Sequence, residues 1–255
     1  RMNLSVQNAV LEFNKNIANL NTQLIRLDDS SLSLNAVFDT NLSKKLNIKN
    51  MNIKSKYLNT KKLLSYRDNI LLKEFPISIS EGKFYAEKLD SVLYDSTVPF
   101  TAFTSDFKVE NNVLYLRNIT SEIYNGKLSG AIDFDIKEQR YISNILCRGV
   151  SASTIFKIIS TRKESISGTM DFDANLKGNL SSKNSLFGKV KFIIHNGRMS
   201  TLGKLEHLLY AQNVVADNML RTSLSVITKA ISLKDTGLFK YLRGDIVINN
   251  KYHLH

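Results

Sequence analysis

The feature that most constrains this chain is strict two-residue alternation of apolar and polar side chains. Between Lys127 and Ile136, Leu128, Gly130, Ile132, Phe134 and Ile136 fall on one parity. Lys127, Ser129, Asp133 and Asp135 fall on the other, with only Ala131 ambiguous. Ile166, Met170, Phe172, Ala174 and Leu176 repeat the pattern against Ser167, Thr169, Asp171, Asp173 and Asn175. Val190, Phe192 and Ile194 continue it opposite Lys189 and Lys191. Leu32, Leu34, Ala36 and Phe38 form an earlier run, Ile246 and Ile248 a late one. A period of two puts alternate side chains on opposite faces of a strand, and one apolar face with one wet face is the mark of antiparallel sheet.

Between these runs stand residues that accept positive φ: Asn111-Asn112, Asn125-Gly126, Asn196-Gly197 and Asn249-Asn250. They predict tight hairpins between sequence neighbours, hence a meander. Helical signals are few and short. Asn59 can open a turn through Lys61 to Tyr66, and Ser151 or Ser153 can cap a helix carrying Ile155, Ile158 and Ile159. Thr201 can cap another carrying Leu202, Leu205, Leu208 and Leu209. Leu220, Leu224, Ile227 and Ile231 make a third stripe. The weakest joint is expected around Asp68 to Pro76, dividing residues 1–74 (further strands plus a short helical turn) from 75–255.

Composition narrows the chemistry. The 255 residues include one cysteine, Cys147, so no intrachain disulfide framework or cysteine-rich metal site can form. Cys147 itself reads as a small buried apolar residue. His253 and His255 sit two apart, as two metal ligands might on a strand, but no carboxylate or cysteine cluster accompanies them. His195 reads as a solvated turn residue. The pairs Asp133/Asp135 and Asp171/Asp173 are placed by the alternation in water, where acids solubilise a sheet and do no acid–base work. No phosphate-binding glycine loop, nucleophile elbow or zinc spacing occurs. The reading is therefore non-enzymatic, with no cofactor and no metal.

Charge is unevenly spread within a net +12. Residues 1–66 hold ten basic and four acidic side chains, residues 67–176 thirteen and fifteen, and residues 177–255 twelve and four. Two basic ends suggest an anionic neighbour, a membrane surface or nucleic acid. No nucleic-acid-binding motif is present, and Phe187 and Phe192 fall on or beside apolar strand faces, so nucleic acid is not expected. No apolar run reaches the roughly 20 residues of a membrane-spanning helix.

From Phe75 onward the chain resembles the C-terminal region of the AsmA-like family of envelope proteins (the AsmA, TamB and YhdP type). Phe75–Phe84, Val113–Gly130, Ile166–Gly178 and Gly188–Gly197 resemble that family's strand–turn–strand phrases in the expected order. Asn125 stands where the family phrase has its first glycine. The resemblance implies a mainly β fold: a long twisted antiparallel sheet curved into an open groove, or partial barrel, with a few short amphipathic helices. It implies acyl chains held on the concave apolar face, and phospholipid transport between the inner and outer membranes of a diderm bacterium. The location implied is the periplasm, with anchoring to the inner membrane through a part of a longer parent chain outside these residues. Ile132, Phe134, Ile136, Met170, Phe172, Leu176, Val190, Phe192, Ile194, Ile246 and Ile248 would line the groove, and lysines of the basic ends would meet headgroups. Three alternatives stand beside it: an ordinary closed core, a scaffold for envelope assembly, or a basic module for nucleic acid or anionic glycolipid.

Overall fold

A computed structural model describes residues 3–40, 46–60, 77–93, 96–159, 166–180, 182–199, 222–225 and 238–248. Thirteen strands form a single sheet in the order β1-β2-β3-β4-β5-β6-β7-β8-β9-β10-β11-β13-β12. The sheet is open: β1 and β12 stand at its two ends and do not pair with each other. The strands are β1 (Leu4–Asn14), β2 (Ile17–Leu27), β3 (Ser30–Asp39), β4 (Leu46–Asn59), β5 (Ile77–Leu93), β6 (Ser96–Glu110) and β7 (Val113–Ile123). After them come β8 (Gly126–Asp135), β9 (Arg140–Ser151), β10 (Ile166–Asn179), β11 (Ser182–Met199), β12 (Thr222–Ser225) and β13 (Leu238–Ile248). One helix, α1 (Ala152–Ile159), is present among the described residues. The chain divides into two compact units: residues 1–122 with 130–139, and residues 123–129 with 140–255. Residues 61–76, where the sequence placed its joint and its first helical turn, lie outside the described residues.

Four hairpins turn through left-handed backbone, at both turn residues in two of them and at the first alone in the other two, as the twist of adjoining strands favours. Asn111 and Asn112 (φ 51° and 63°) join β6 to β7 as the sequence predicts. Lys15 and Asp28 open the turns after β1 and β2. The expected Asn125-Gly126 turn sits one residue earlier, on Tyr124 and Asn125 (φ 47° and 67°), and Gly126 is the first residue of β8. Gly126 serves close approach: a Cβ there would lie 2.4 Å from the Arg148 carbonyl oxygen and 2.5 Å from the Val150 nitrogen. Asn196-Gly197 makes no hairpin. β11 runs through it to Met199, and Asn196 (φ 48°) sits beside a register shift between Ser167 and Thr169 of β10. Asparagine's tolerance of left-handed backbone is spent on a bulge, not a turn.

The pure meander fails in two places. β4 and β5 pair in parallel, Ile53 beside Phe84, an arrangement that a two-residue hairpin cannot connect. At the far end β13 lies between β11 and β12. Leu224, expected on a helical stripe, lies in β12 with Ile246 as its backbone partner. Pairing with β13 overrides the local four-three-four spacing. Leu220, Ile227, Ile231, the stripe from Leu202 to Leu209 and the Asn249-Asn250 turn lie outside the described residues. Ser151 does cap α1: its Oγ accepts from Thr154 N at 3.4 Å and Thr154 Oγ1 at 3.1 Å.

In the first unit, rows of side chains cross seven strands on one face. One row runs Phe13, Ala18, Phe38, Ile48, Ile79, Val109 and Leu114. The next runs Leu11, Leu20, Ala36, Met51, Gly82, Phe107 and Leu116. Their middle members form one core cluster, and Leu58, Ala86 and Leu89 with Phe100 and Phe103 form a second. Phe103 meets Phe84 and Phe100 edge-on, at 5.7 and 6.4 Å between ring centres.

Rows stay aligned only if every bulge is compensated. Three buried hydroxyls sit at register shifts. Thr22 Oγ1 accepts Leu34 N at 3.0 Å at the β2–β3 shift, and Ser55 Oγ donates to Ser31 O at 2.8 Å at the β3–β4 shift. Ser121 Oγ donates to Thr101 O at 2.8 Å at the β6–β7 shift. Each satisfies a backbone group beside an irregular stretch of ladder, where it would otherwise be buried without a partner.

Two stability outcomes are expected in equilibrium denaturation. Gly126→Ala forces a methyl into backbone and should cost about 2 kcal/mol or more, whereas Asn125→Gly keeps the left-handed turn and should change stability by about 0.5 kcal/mol or less. Thr22→Val, nearly isosteric, should cost about 1–3 kcal/mol by leaving the Leu34 amide unsatisfied.

Candidate functional site

In the second unit, β9, β10, β11 and β13 place their alternating apolar residues in four rows on one face. The rows are Val150–Met170–Ile194–Leu242, Cys147–Phe172–Phe192–Gly244, Ile145–Ala174–Val190–Ile246 and Ser143–Leu176–Gly188–Ile248. Eight of the eleven sequence-predicted residues therefore share one face: Met170, Phe172, Leu176, Val190, Phe192, Ile194, Ile246 and Ile248.

Their accessibility differs. Met170, Phe192, Ile194 and Ile248 are buried, with Ile194 and its neighbours Val150 and Cys147 at 0% exposure. Phe172, Leu176, Val190 and Ile246 are half-buried. The Val150–Met170–Ile194–Leu242 row is thus closed over by protein, and the face opens through the next two rows toward Leu176. α1 packs against β10 and β9, with Ala152 wholly buried and Ile155 and Ile158 half-buried.

Aromatic rings roof the glycines of this face. Phe192 lies over its cross-strand partner Gly244, where a Cβ would stand 2.6 Å from Cζ, and Phe239 covers Gly197 in the same way. The first unit repeats the device with Phe107 on Gly82. Each ring fills the gap its partner leaves, so Phe192, which reads as a ligand contact in the sequence, is partly occupied in roofing glycine.

The three remaining predicted residues belong to the first unit. Ile132 and Phe134 lie in β8 and Ile136 follows it, packing against the Ile48–Ile79–Phe107 cluster. Every residue from Leu128 to Ile136 is half-buried, so the alternation so regular in sequence has no matching alternation of burial. The sequence reading also missed most of the first unit's apolar face. Met51, Ile53, Ile79, Phe84 and Phe107 lie on it, but bulges change strand phase between Ile48 and Asn50 in β4 and between Ile79 and Gly82 in β5, hiding the period.

The acidic pairs are engaged and not simply solvated. Asp133 is half-buried and pairs with Arg117, whose guanidinium also donates to the Leu116 and Ile132 carbonyls at 2.9 and 3.2 Å. Asp171, also half-buried, accepts the Gly149 amide at 2.8 Å and faces His195 Nε2 at 3.7 Å. His195 lies within β11, not at a turn. On the second unit's polar face Asp173 opposes Lys191, Lys191 opposes Asp245, and Lys189 pairs with Asp245 at 3.4 Å. Opposite charges on neighbouring strands favour this register.

Cys147 is buried as expected, and burial pushes its thiol from 9.0 to about 12, against a smaller opposing effect of Arg148. Among the described residues no group of three His, Cys, Asp or Glu side chains is placed to hold a metal ion. His253 and His255 lie outside the described residues.

Compared with family models, curated proteins and solved structures, the chain has no match in any of the three.

The raised thiol gives a testable consequence. Between pH 9 and 12 the unfolded chain loses the Cys147 proton while the folded chain keeps it, so stability falls as pH rises through that window. Denaturation series at pH 8 and 10 should show this fall, and Cys147→Ala should reduce it. At pH 8 a maleimide should label Cys147 only as fast as the protein unfolds.

Proposed function

We propose that this chain is a non-enzymatic lipid-binding protein whose apolar sheet face holds the acyl chains of phospholipids. The observation that carries this reading is the half-exposed apolar surface around Phe172, Leu176, Val190 and Ile246, on an open sheet with one eight-residue helix among the described residues. A sheet with one apolar face needs a cover, and hydrocarbon can supply it at about 0.8 kcal/mol per buried CH₂. Along a face with one open side, tails stay dry while headgroups stay wet. That avoids taking a charged group through hydrocarbon, which would cost several kcal/mol.

The resemblance to AsmA-like proteins supports a more specific proposal: phospholipid transport between the inner and outer membranes, in the periplasm, by a segment of a longer chain anchored to the inner membrane. The basic character of residues 1–66 and 177–255 fits anionic headgroups at a membrane surface, at about 1 kcal/mol for each lysine or arginine close to it. Nucleic acid is not part of this reading.

A second reading, a structural scaffold for envelope assembly with a self-closed core, draws support from the complete burial of Val150, Cys147 and Ile194. Lipid occupancy separates the two. Native mass spectrometry of the purified chain should show bound phospholipid, and a fluorescent phospholipid should load onto delipidated protein with little dependence on salt. Phe172→Asp or Val190→Asp should reduce loading at least about tenfold, while Asp173→Lys on the polar face should leave it unchanged. Protein that carries no lipid and takes up none would overturn the lipid reading in favour of the scaffold. Salt-sensitive binding of nucleic acid in its place would point to the basic module.

A further inference from the structure

The accessible strip on the second unit's apolar face has two unlike ends. At one end the Val150–Met170–Ile194–Leu242 row is buried throughout. From there β10 carries the strip past Phe172, Ala174 and Leu176 to Gly178, all on the same face. Gly178 pairs with Tyr141, and the pair after it, Arg140 with Asn179, is the last between β9 and β10. Tyr141 therefore stands where the face meets the start of β9.

Tyr141 lies across its glycine partner. A Cβ at Gly178 would stand 2.8 Å from the Tyr141 hydroxyl oxygen and 3.0 Å from Cε1 and Cζ. The missing side chain lets the phenol reach over β10, which sets its oxygen in line with Leu176, Ala174 and Phe172. Tyr141 is half-buried, and burial raises its phenol above the ordinary range with no neighbouring charge contributing. The hydroxyl has no hydrogen-bond partner among the described residues. Ser143, the other hydroxyl at this end, is engaged with the Leu176 carbonyl at 3.4 Å. Water serves the phenol while the face is bare. Hydrocarbon laid over the face removes that water, and only an acceptor on the ligand offsets the loss.

We propose that Tyr141 fixes the polar end of a bound phospholipid tail, its hydroxyl donating to the ester carbonyl oxygen while the tail runs over Leu176 and Ala174 to stop at Phe172. The proposal rests on the lipid reading and adds to it a direction and a donor. From Gly178 to Phe172 the strand covers about 20 Å. One tail fits that length, since a bilayer core of about 30 Å is spanned by two tails end to end. The reverse orientation would bring the carbonyl to Phe172, Phe192 and the buried Cys147, beside a row closed over by protein. It would also leave the Tyr141 hydroxyl under hydrocarbon without an acceptor.

Two phospholipids matched in headgroup and tail length test this, one ester-linked and one ether-linked, the second lacking the carbonyl oxygen. In competition for the delipidated full chain the ester lipid should win about three- to tenfold, the worth of one hydrogen bond. Tyr141→Phe should keep the wild-type circular dichroism spectrum and denaturation midpoint, because the hydroxyl holds nothing within the protein. It should load the ether lipid as the wild type does and lose the preference for the ester. Gly178→Ala, whose methyl displaces the phenol, should lose that preference as well. A wild-type chain that loads both lipids equally would overturn the proposal and leave the lipid reading standing. The same holds for a Tyr141→Phe chain that still prefers the ester. A chain that loads neither lipid would overturn both.

Discussion

Everything in this sheet depends on phase. Side chains alternate with a period of two, so a strand displaced by one residue sends its apolar set to the wrong face. Rows such as Leu20–Ala36–Met51–Gly82–Phe107 survive across β2 to β6 only because each irregularity is absorbed locally. The absorbing groups are small and polar: Thr22, Ser55 and Ser121, buried where polar side chains would ordinarily be costly, bond backbone groups next to the shifts. Glycines roofed by aromatic rings do the complementary work, letting a strand come close where a side chain would hold it away. Register, hydroxyl and glycine together hold one face apolar over a sheet that has no closure to lock it.

The fold class was legible because alternation is a property of single strands. β8, β10, β11 and β13 each carry it openly, and the described elements match those runs. What stayed hidden belongs to pairs of strands. A parallel β4–β5 seam leaves no mark in either strand alone, since Ile53 and Phe84 look the same whichever way their neighbours run. Leu224 reads as helical by spacing and is a strand residue because β13 offers it a ladder. Asn196-Gly197 and Asn111-Asn112 carry the same local chemistry, yet one pair bends a continuous strand and the other reverses the chain.

The candidate site shows the same limit. Sequence found eight residues that share the second unit's apolar face, since Met170, Phe172, Ile194 and their partners keep a regular period. It did not separate those that protein covers, Met170, Phe192, Ile194 and Ile248, from those that remain accessible, Phe172, Leu176, Val190 and Ile246. That distinction depends on three-dimensional packing, which the period of a single strand does not record. In the first unit, bulges in β4 and β5 broke the period, so Met51, Ile53 and Phe84 passed unnoticed. Likewise, nothing in the spacing of Asp133 and Asp171 discloses that each is tied to an arginine or a backbone amide.

The parallel pairing of β4 with β5 bears on how the first unit assembles. β1 through β4 follow one another through the sheet, and so do β5 through β7, which keeps most partners close in sequence. The β4–β5 seam instead joins Leu46 to Ile77 and Asn59 to Asp90, and it brings together segments about thirty residues apart along its whole length. Contacts of that separation carry a larger loop-closure cost and are slow to form. Two locally built strand blocks are therefore expected to form first, with the seam as the late event that fuses them. Until it closes, the facing edges of β4 and β5 are open to any other extended chain, so association during synthesis or refolding is most dangerous at that stage.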